Sequence, residues 1–458
     1  MSELIISVSG LRGVIGETLT PEVAIRYATA FSAETPPGRF VITRDGRPTG
    51  VMLSHAIHAG LNAVGRDTIE AGVAATPTTG MLIRELGLAG GIQISASHNP
   101  SEYNGIKLFS AEGRVISKIP GAAVLQRYQM NSIRDIQWVP HDRVGKLIYC
   151  IDVNEVHLEK VLQTVDVEAI RNRKFKVLLD SNRGAGSLLG EMLLKALGCE
   201  IVLLGGKPDG LFEHTPEPTA ENLQSVFEKV KNAKVDVGFC QDPDADRLAV
   251  IDQNGRYIGE EYTVALCVEH VLRNHVMRMR MKGPIVMNCS SSRMTQDIAE
   301  RYGVPLFRSP VGEANVVDLM LEKEAMFGGE GNGGPIDPDV GLVRDSFVGM
   351  AQILDAMCLR KKTIAELADE LPRYEIVKRK ITLPPGTTPD RIRAMLDELE
   401  KKFSDQKCDR QDGLRIDWPY GWALIRGSNT EPILRIFAEA KTEAEAVALC
   451  DKIGTNLE

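Results

Sequence analysis

Short apolar runs recur along the chain, and each opens into a polar turn and then a helix-length segment of periodic apolar character. Phe40-Val41-Ile42-Thr43 enters the turn Arg44-Asp45-Gly46-Arg47 before a helix from about Val51. Phe175-Lys176-Val177-Leu178-Leu179 enters Asp180-Ser181-Asn182-Arg183-Gly184 before a helix from about Leu188. Pro284-Ile285-Val286-Met287 enters Asn288-Cys289-Ser290-Ser291-Ser292-Arg293 in the same way. A second strand in each unit leads to a Pro/Gly/Thr loop, at residues 75–78, 204–208 and 307–312. A third follows at Gly91-Ile92-Gln93-Ile94-Ser95, Asp236-Val237-Gly238-Phe239-Cys240 and Glu324-Ala325-Met326-Phe327-Gly328. Strands alternating with helices predict βαβ units and mixed or parallel sheets, so the chain reads as three related α/β domains.

The last part differs. A strand at residues 374–381 precedes a Pro-rich turn and an amphipathic helix at 389–403. Strands at 422–425 and 433–438 bracket a polar loop, and a final helix covers 442–453, where Thr442 and Glu445 form a capping pattern. This is a smaller α+β domain. The expected boundaries give domains at 1–150, 151–255, 256–371 and 372–458, arranged around one cleft.

Composition narrows the classes. Apolar residues make up 43% and charged residues 25%, as in an ordinary globular protein. A net charge of −8 argues against a nucleic-acid partner, and Arg278-Met279-Arg280-Met281-Lys282 reads as a solvated helix end. The eight cysteines are scattered with no CxxC pair, which disfavours disulfides and zinc. The start carries no basic region or long apolar core, and no stretch approaches the roughly 20 apolar residues of a membrane span. The expectation is a cytoplasmic, unprocessed protein with no membrane partner. A homodimer is compatible with the chain, but the sequence does not settle the assembly.

The third elements of the three units run into the most informative stretches. The first is Ser95-Ala96-Ser97-His98-Asn99-Pro100; the second is Asp242-Pro243-Asp244-Ala245-Asp246-Arg247. An isolated Ser-His-Asn-Pro is usually a turn, and Asp-Pro-Asp alone is often an acidic surface turn. Here the acidic loop sits between strongly apolar strands, so its repulsion needs a cation or Arg247 to relieve it. Three hard oxygen donors at alternate positions suit one Mg²⁺. The spacing begins like an EF-hand but lacks its central glycine and terminal glutamate.

Together with Gly329-Glu330-Gly331-Asn332-Gly333-Gly334 and Arg426-Gly427-Ser428-Asn429-Thr430-Glu431-Pro432, these stretches resemble the α-D-phosphohexomutase family in order and spacing over essentially the whole chain. The resemblance implies a phosphorylated Ser97 beside Mg²⁺, held by Asp242, Asp244, Asp246 and the phosphoserine itself, with His98 and Asn99 shaping the loop. It also implies that Lys107 and Arg12 complete the reaction centre. A lysine whose pKa is lowered by neighbouring cations would accept the sugar hydroxyl proton, while Arg12 and Arg247 hold the phosphoryl oxygens. Taken singly, each of these cations reads as a solvated charge.

The glycine-rich loop resembles a sugar-binding loop, with Glu330 accepting from two hydroxyls and Asn332 beside it; the alternative is a flexible turn. Common family versions carry serine and a terminal histidine where this chain has Asn332 and Gly334. Arg426, Ser428, Asn429 and Thr430 match a tetrahedral phosphate dianion. The implied reaction interconverts hexose 6-phosphate and 1-phosphate through a bisphosphorylated hexose, which also serves as activator. Residues 7–16 and 309–313 look most like the phosphoglucosamine mutase branch, pointing to glucosamine phosphate. The alternatives are a phosphoglucomutase/phosphomannomutase, a sugar phosphatase using the same serine, or a silent sugar-phosphate binder.

Overall fold

The computed structural model describes residues 4–7, 10–277, 283–384, 386–427 and 433–457. Its strands form four sheets. The first has seven strands, in the order Ile5–Ser7, Gly10–Val14, Tyr103–Ser110, Gly90–Ile94, Phe40–Arg44, Thr68–Val73, Leu147–Tyr149. The second runs Leu248–Asp252, Val237–Gln241, Lys176–Asp180, Glu200–Leu204, and the third Leu306–Ser309, Ile285–Asn288, Phe327–Glu330, Gly334–Ile336. The fourth is wholly antiparallel, in the order Glu375–Thr382, Ile433–Ala440, Gly421–Gly427, Leu414–Trp418, Lys407–Asp409.

The first three sheets share one local topology. Phe40–Arg44, Lys176–Asp180 and Ile285–Asn288 each lie parallel to the next two strands of their unit. The third strand then turns into an antiparallel fourth: Gly90–Ile94 into Tyr103–Ser110, Val237–Gln241 into Leu248–Asp252, and Phe327–Glu330 into Gly334–Ile336. Ser97, the Asp242–Asp244–Asp246 run and Asn332 lie in these three returns. They therefore sit just beyond the carboxyl ends of equivalent strands, where open α/β sheets gather ligands.

Some boundaries differ from expectation. Residues 75–78 are not a simple loop, because the helix Thr76–Glu85 begins there. Pro77 falls in its first turn, where the missing N–H breaks no helical bond. Two further strands go beyond those expected from the sequence, Lys407–Asp409 at the edge of the fourth sheet and Leu414–Trp418 beside it. The capping box of Thr442 and Glu445 forms as its residues predict. All eight cysteines are free. The basic run at 278–282 lies outside the described residues. No helix among the described residues is long and apolar enough to cross a membrane.

The helix Ser346–Arg360 organises the interior. Its residues from Ser346 to Met357 are all buried, so it is enclosed on every side, and its polar residues Gln352 and Asp355 find partners in Asp337 and His270. It packs on Glu260–Met277, Val167–Arg173 and Gly186–Ala196. Val177, Phe239 and Leu248 of the second sheet join Ile285 and Phe327 of the third and Phe347 of this helix in one continuous core. The fourth unit keeps a separate core of Leu396, Leu399, Leu414, Ile416 and Ile436. Phe347 is fully buried and meets the His157 ring edge-on, with ring centroids 5.4 Å apart. Phe347→Ala should therefore cost ~3–5 kcal/mol. Urea unfolding checks this; a loss under about 1 kcal/mol would show that the site collapses without it.

Candidate active site

Three aspartates converge in the return of the second unit. Asp242, Asp244 and Asp246 are buried, and each offers a carboxylate oxygen within 4.8 Å of the others. Apolar strands flank the loop on either side, and its three aspartates are fully buried. Burial pushes the Asp242 carboxyl well above its ordinary value, and Asp244 and Asp246 push it further. Burial also opposes ionisation of Asp246, but Arg344 and then Lys107 outweigh it and lower its pKa. Asp244 is likewise lowered, against burial, by Lys107 and by hydrogen bonds that include Thr76.

The compensating groups come from other units. Lys107 Nζ, on the strand Tyr103–Ser110, pairs closely with Asp244 Oδ2 and lies 3.2 Å from Asp246 Oδ2. Thr76 Oγ1 donates to Asp244 Oδ2 at 2.7 Å, and Thr76 N donates to Asp244 O at 2.9 Å. The positive end of the helix Thr76–Glu85 thus faces this carboxylate. Arg344 Nη2 donates to Asp246 Oδ2 at 2.6 Å. Asp244 Oδ1 and Asp246 Oδ1 are buried and accept no hydrogen bond among the described residues. Two orphaned, negatively charged oxygens in a closely spaced oxygen set fit a hard divalent cation such as Mg²⁺.

Ser97 meets this cluster. Its Oγ donates to Asp242 Oδ2 at 2.9 Å and lies 3.3 Å from His98 Nδ1. The residue is 1% exposed and left-handed at φ 49°, an uncommon conformation for a non-glycine residue. A buried network holds it there. Ser97 N donates to Ser95 Oγ, which donates to Asp45 Oδ2 at 2.7 Å. Asp45 pairs with the buried Arg47, which donates to Ser97 O at 2.9 Å. Arg12 Nη1 donates to Asn99 Oδ1 at 3.0 Å. Arg247 N donates to Asp242 Oδ1 at 3.2 Å, and its Nε lies 3.9 Å from Asp246 Oδ1. Burial, with Arg247 and Arg12, pushes His98 down to about 3, so it is neutral at neutral pH.

Lys107 differs from expectation. Burial would lower its pKa, but Asp244 and Asp246 more than reverse that and raise it. The lysine faces carboxylates rather than a surplus of cations, so its pKa is raised where the family resemblance implies a lowered one.

The glycine-rich return of the third unit also differs. Glu330 Oε1 accepts from Asn288 Nδ2 at 2.7 Å and Gly312 N at 3.0 Å, and Oε2 accepts from Arg344 Nη1 at 2.9 Å. Only Oε2 keeps a free acceptor position, so Glu330 has room for one hydroxyl rather than two. Asn332 Oδ1 is buried without a hydrogen-bond partner among the described residues. The glycines answer to packing. A Cβ on Gly331 would lie 2.1 Å from the Glu261 carboxylate, and one on Gly334 would lie 2.4 Å from Arg344 Cδ. Gly333 has φ +83°, and its oxygen accepts from Leu248 N at 2.9 Å, docking the loop on the second unit. Arg344 thus occupies the space beside residue 334 and joins Asp246 to Glu330. Nothing near Arg344 in the sequence marked it; nor were Thr76, Asn288 or Glu313 marked for the places they take.

Arg426 lies near the end of the strand Gly421–Gly427, with its side chain 27% exposed and Nε 2.9 Å from Asp412 Oδ1. Ser428, Asn429 and Thr430 lie outside the described residues.

The phosphoglucomutase/phosphomannomutase family models match the chain in four parts: α/β/α domain I at residues 4–133, domain II at 155–255, domain III at 260–374 and the C-terminal domain at 382–454. A phosphoglucomutase/phosphomannomutase of Thermococcus kodakarensis is 38% identical over 95% of this chain and 94% of its own. A probable phosphoglucosamine mutase of Methanopyrus kandleri is 32% identical over 97% and 95%. The crystal structure of a phosphoglucomutase/phosphomannomutase family protein from Burkholderia thailandensis superposes with a TM-score of 0.84 at 27% identity, covering 99% of this chain and 98% of that one. The chain belongs to the phosphoglucomutase/phosphomannomutase, or α-D-phosphohexomutase, family.

Asp244→Asn and Asp246→Asn each remove a charged donor from the oxygen set. Each should weaken Mg²⁺ binding by at least about tenfold. Titration calorimetry on the unphosphorylated protein measures it, and wild-type affinity in both variants would exclude these ligands.

Proposed function

We propose that this phosphohexomutase interconverts glucosamine 6-phosphate and glucosamine 1-phosphate through phospho-Ser97 and a bisphosphorylated sugar. The contact between Ser97 Oγ and Asp242 at 2.9 Å carries the reading, because it sets a nucleophile of one unit against the oxygen cluster of another. Asp242, Asp244 and Asp246 would hold one Mg²⁺ together with a phosphoserine oxygen. When bound, the ion supplies charge neutralisation to the transferring phosphoryl group.

The protein's own residues do the rest. Ser97 gives its phosphoryl group to a sugar hydroxyl, and the P–Oγ bond breaks as the new P–O bond forms. The sugar hydroxyl loses a proton and Ser97 Oγ gains one, and the second half-cycle reverses both. Arg12, Arg247 and the charged Lys107 face the phosphoryl oxygens as negative charge spreads over them. Neutral His98 braces Ser97. Asn332 Oδ1 and the open position on Glu330 Oε2 receive sugar hydroxyls. Arg426, with Ser428, Asn429 and Thr430, receives the phosphate that is not reacting. The sugar turns end for end within the cleft, and closure of the fourth unit keeps water from the phosphoserine.

The surroundings of the sugar loop favour an amino sugar. Glu261 lies against Gly331, and Glu260 Oε1 is buried with no partner among the described residues. Burial pushes Glu260 and Glu313 up to about 7, and Glu261 to about 8. The unpartnered oxygen of Glu260 suits an ammonium group, which glucosamine carries and glucose and mannose do not. The second reading, a phosphoglucomutase/phosphomannomutase, rests on the 38% identity to the Thermococcus kodakarensis protein of that name.

Ser97→Ala should abolish turnover with the fold intact. Active wild type should carry one phosphate that peptide mapping places on Ser97, and full activity in the variant would remove the nucleophile. For the sugar, kcat/KM is compared for the 6-phosphates of glucosamine, glucose and mannose, each primed with its bisphosphate. Glucosamine 6-phosphate should lead by about tenfold or more, as loss of one charge contact implies. Equal values for glucose would favour the second reading.

A further inference from the structure

We infer that Asp412 is a positioning residue that couples the distal-phosphate site on the fourth unit to the sugar loop on the third. This rests on the proposed role of Arg426 as a phosphate ligand.

Asp412 lies in the turn between Lys407–Asp409 and Leu414–Trp418. The turn is pressed onto the strand that carries Arg426. Gly413 has φ +83°, and a Cβ there would lie 2.1 Å from Ile425 O and 3.2 Å from Arg426 Cα. Only glycine lets the chain pass so close. Asp412 is thereby set beside Arg426, with Oδ1 2.9 Å from Nε in an ion pair whose N–H is not aligned as a hydrogen bond. A guanidinium has five N–H groups in a fixed plane. A carboxylate at the Nε edge leaves the Nη groups to face a second anion.

The other oxygen reaches across to the third unit. Asp412 Oδ2 accepts from Val311 N at 2.9 Å and lies 3.9 Å from the Cys289 thiol. The next backbone N–H, of Gly312, donates to Glu330 Oε1 at 3.0 Å. Two consecutive peptide N–H groups therefore bind two carboxylates, one beside the phosphate ligand and one in the sugar loop. The path runs from Arg426 through Asp412, Val311 and Gly312 to Glu330. It fixes how far the distal phosphate stands from the sugar ring, a distance that must suit the substrate in both orientations.

Both Asp412 oxygens face donors. In Asp412→Asn, either orientation of the amide sets an NH₂ group against Val311 N–H or the guanidinium, so one contact is lost in any arrangement. The loss should fall on KM for glucosamine 6-phosphate, raised about tenfold or more, as for a hydrogen bond to a charged group. The kcat should change less, and hydrolysis of phospho-Ser97 without sugar should stay at the wild-type rate, since Asp412 does not touch the reacting phosphorus. In an Arg426→Ala background the same substitution should cost less than about threefold, because a residue that acts through Arg426 has nothing left to act on. A merely structural role would persist in that background.

Asp412→Glu, which keeps the charge but displaces it by one methylene, is measured beside it. Titration calorimetry with glucosamine 6-phosphate gives Kd without turnover, so the coupling is tested even where the mutase reading fails. Wild-type KM and Kd in whichever variant folds would overturn the inference, as would an undiminished effect in Arg426→Ala. If neither variant folds, Asp412 is a determinant of the fold and the inference is overturned.

Discussion

Three carboxylates buried within 4.8 Å of one another make the constraint on which the rest of the structure depends. Two like charges about 4 Å apart repel by roughly 4 kcal/mol at the effective dielectric of a protein site, and leaving one charge buried without a partner is costlier still. The second unit cannot meet that demand by itself. Lys107 and Thr76 come from the first unit, Arg344 comes from the third, and each attaches to a different part of the acidic loop. The same contacts that make the loop tolerable fix its place relative to Ser97 and Glu330. Charge compensation and assembly of the site are one interaction.

Much of this was legible in the sequence, and the gaps have physical reasons. Apolar strands running into polar turns gave away the α/β units, and the shared strand order of the three sheets follows from that repetition. Ser97 and the aspartates stood out because several chemical groups fall together in a short stretch between apolar strands. Arg344 had no such company: it is a lone cation whose partners lie 14 and 98 residues away. Asp412 is equally plain in sequence, because its meaning lies in a turn and an interface. The glycines of residues 328–334 were visible, but their cause was not. They are small because Glu261, Leu248 and Arg344 already fill the space around them. The expected state of Lys107 failed for a similar reason: its carboxylate neighbours are more than a hundred residues distant in the chain.

The sheets divide the chain into four, but the cores do not. Helix Ser346–Arg360 is enclosed by elements of both the second and third units, and His157 reaches from Thr78 of the first unit to Asp345 at that helix's cap, with hydrogen-bonding distances of 2.9 and 2.6 Å. The fourth unit keeps its own main interior and meets the third through polar contacts such as Arg293 with Asp417 and through a small buried cluster of Cys289, Trp422 and Leu424. Motion between the third and fourth units would therefore disturb only that small cluster, whereas motion between the second and third would open a large shared core.

That shared helix also bears on how such chains can be recombined. In a chimera of two relatives, a junction placed between the second and third sheets would pair one parent's Ser346–Arg360 with the other's surrounding side chains. Interiors are packed to near-crystalline density, so mismatched parental shapes meet there with no solvent to absorb the difference. A junction ahead of the fourth sheet divides only the small Cys289, Trp422 and Leu424 cluster. Exchangeable blocks in this architecture are therefore drawn by the packing around one helix rather than by the sheet count.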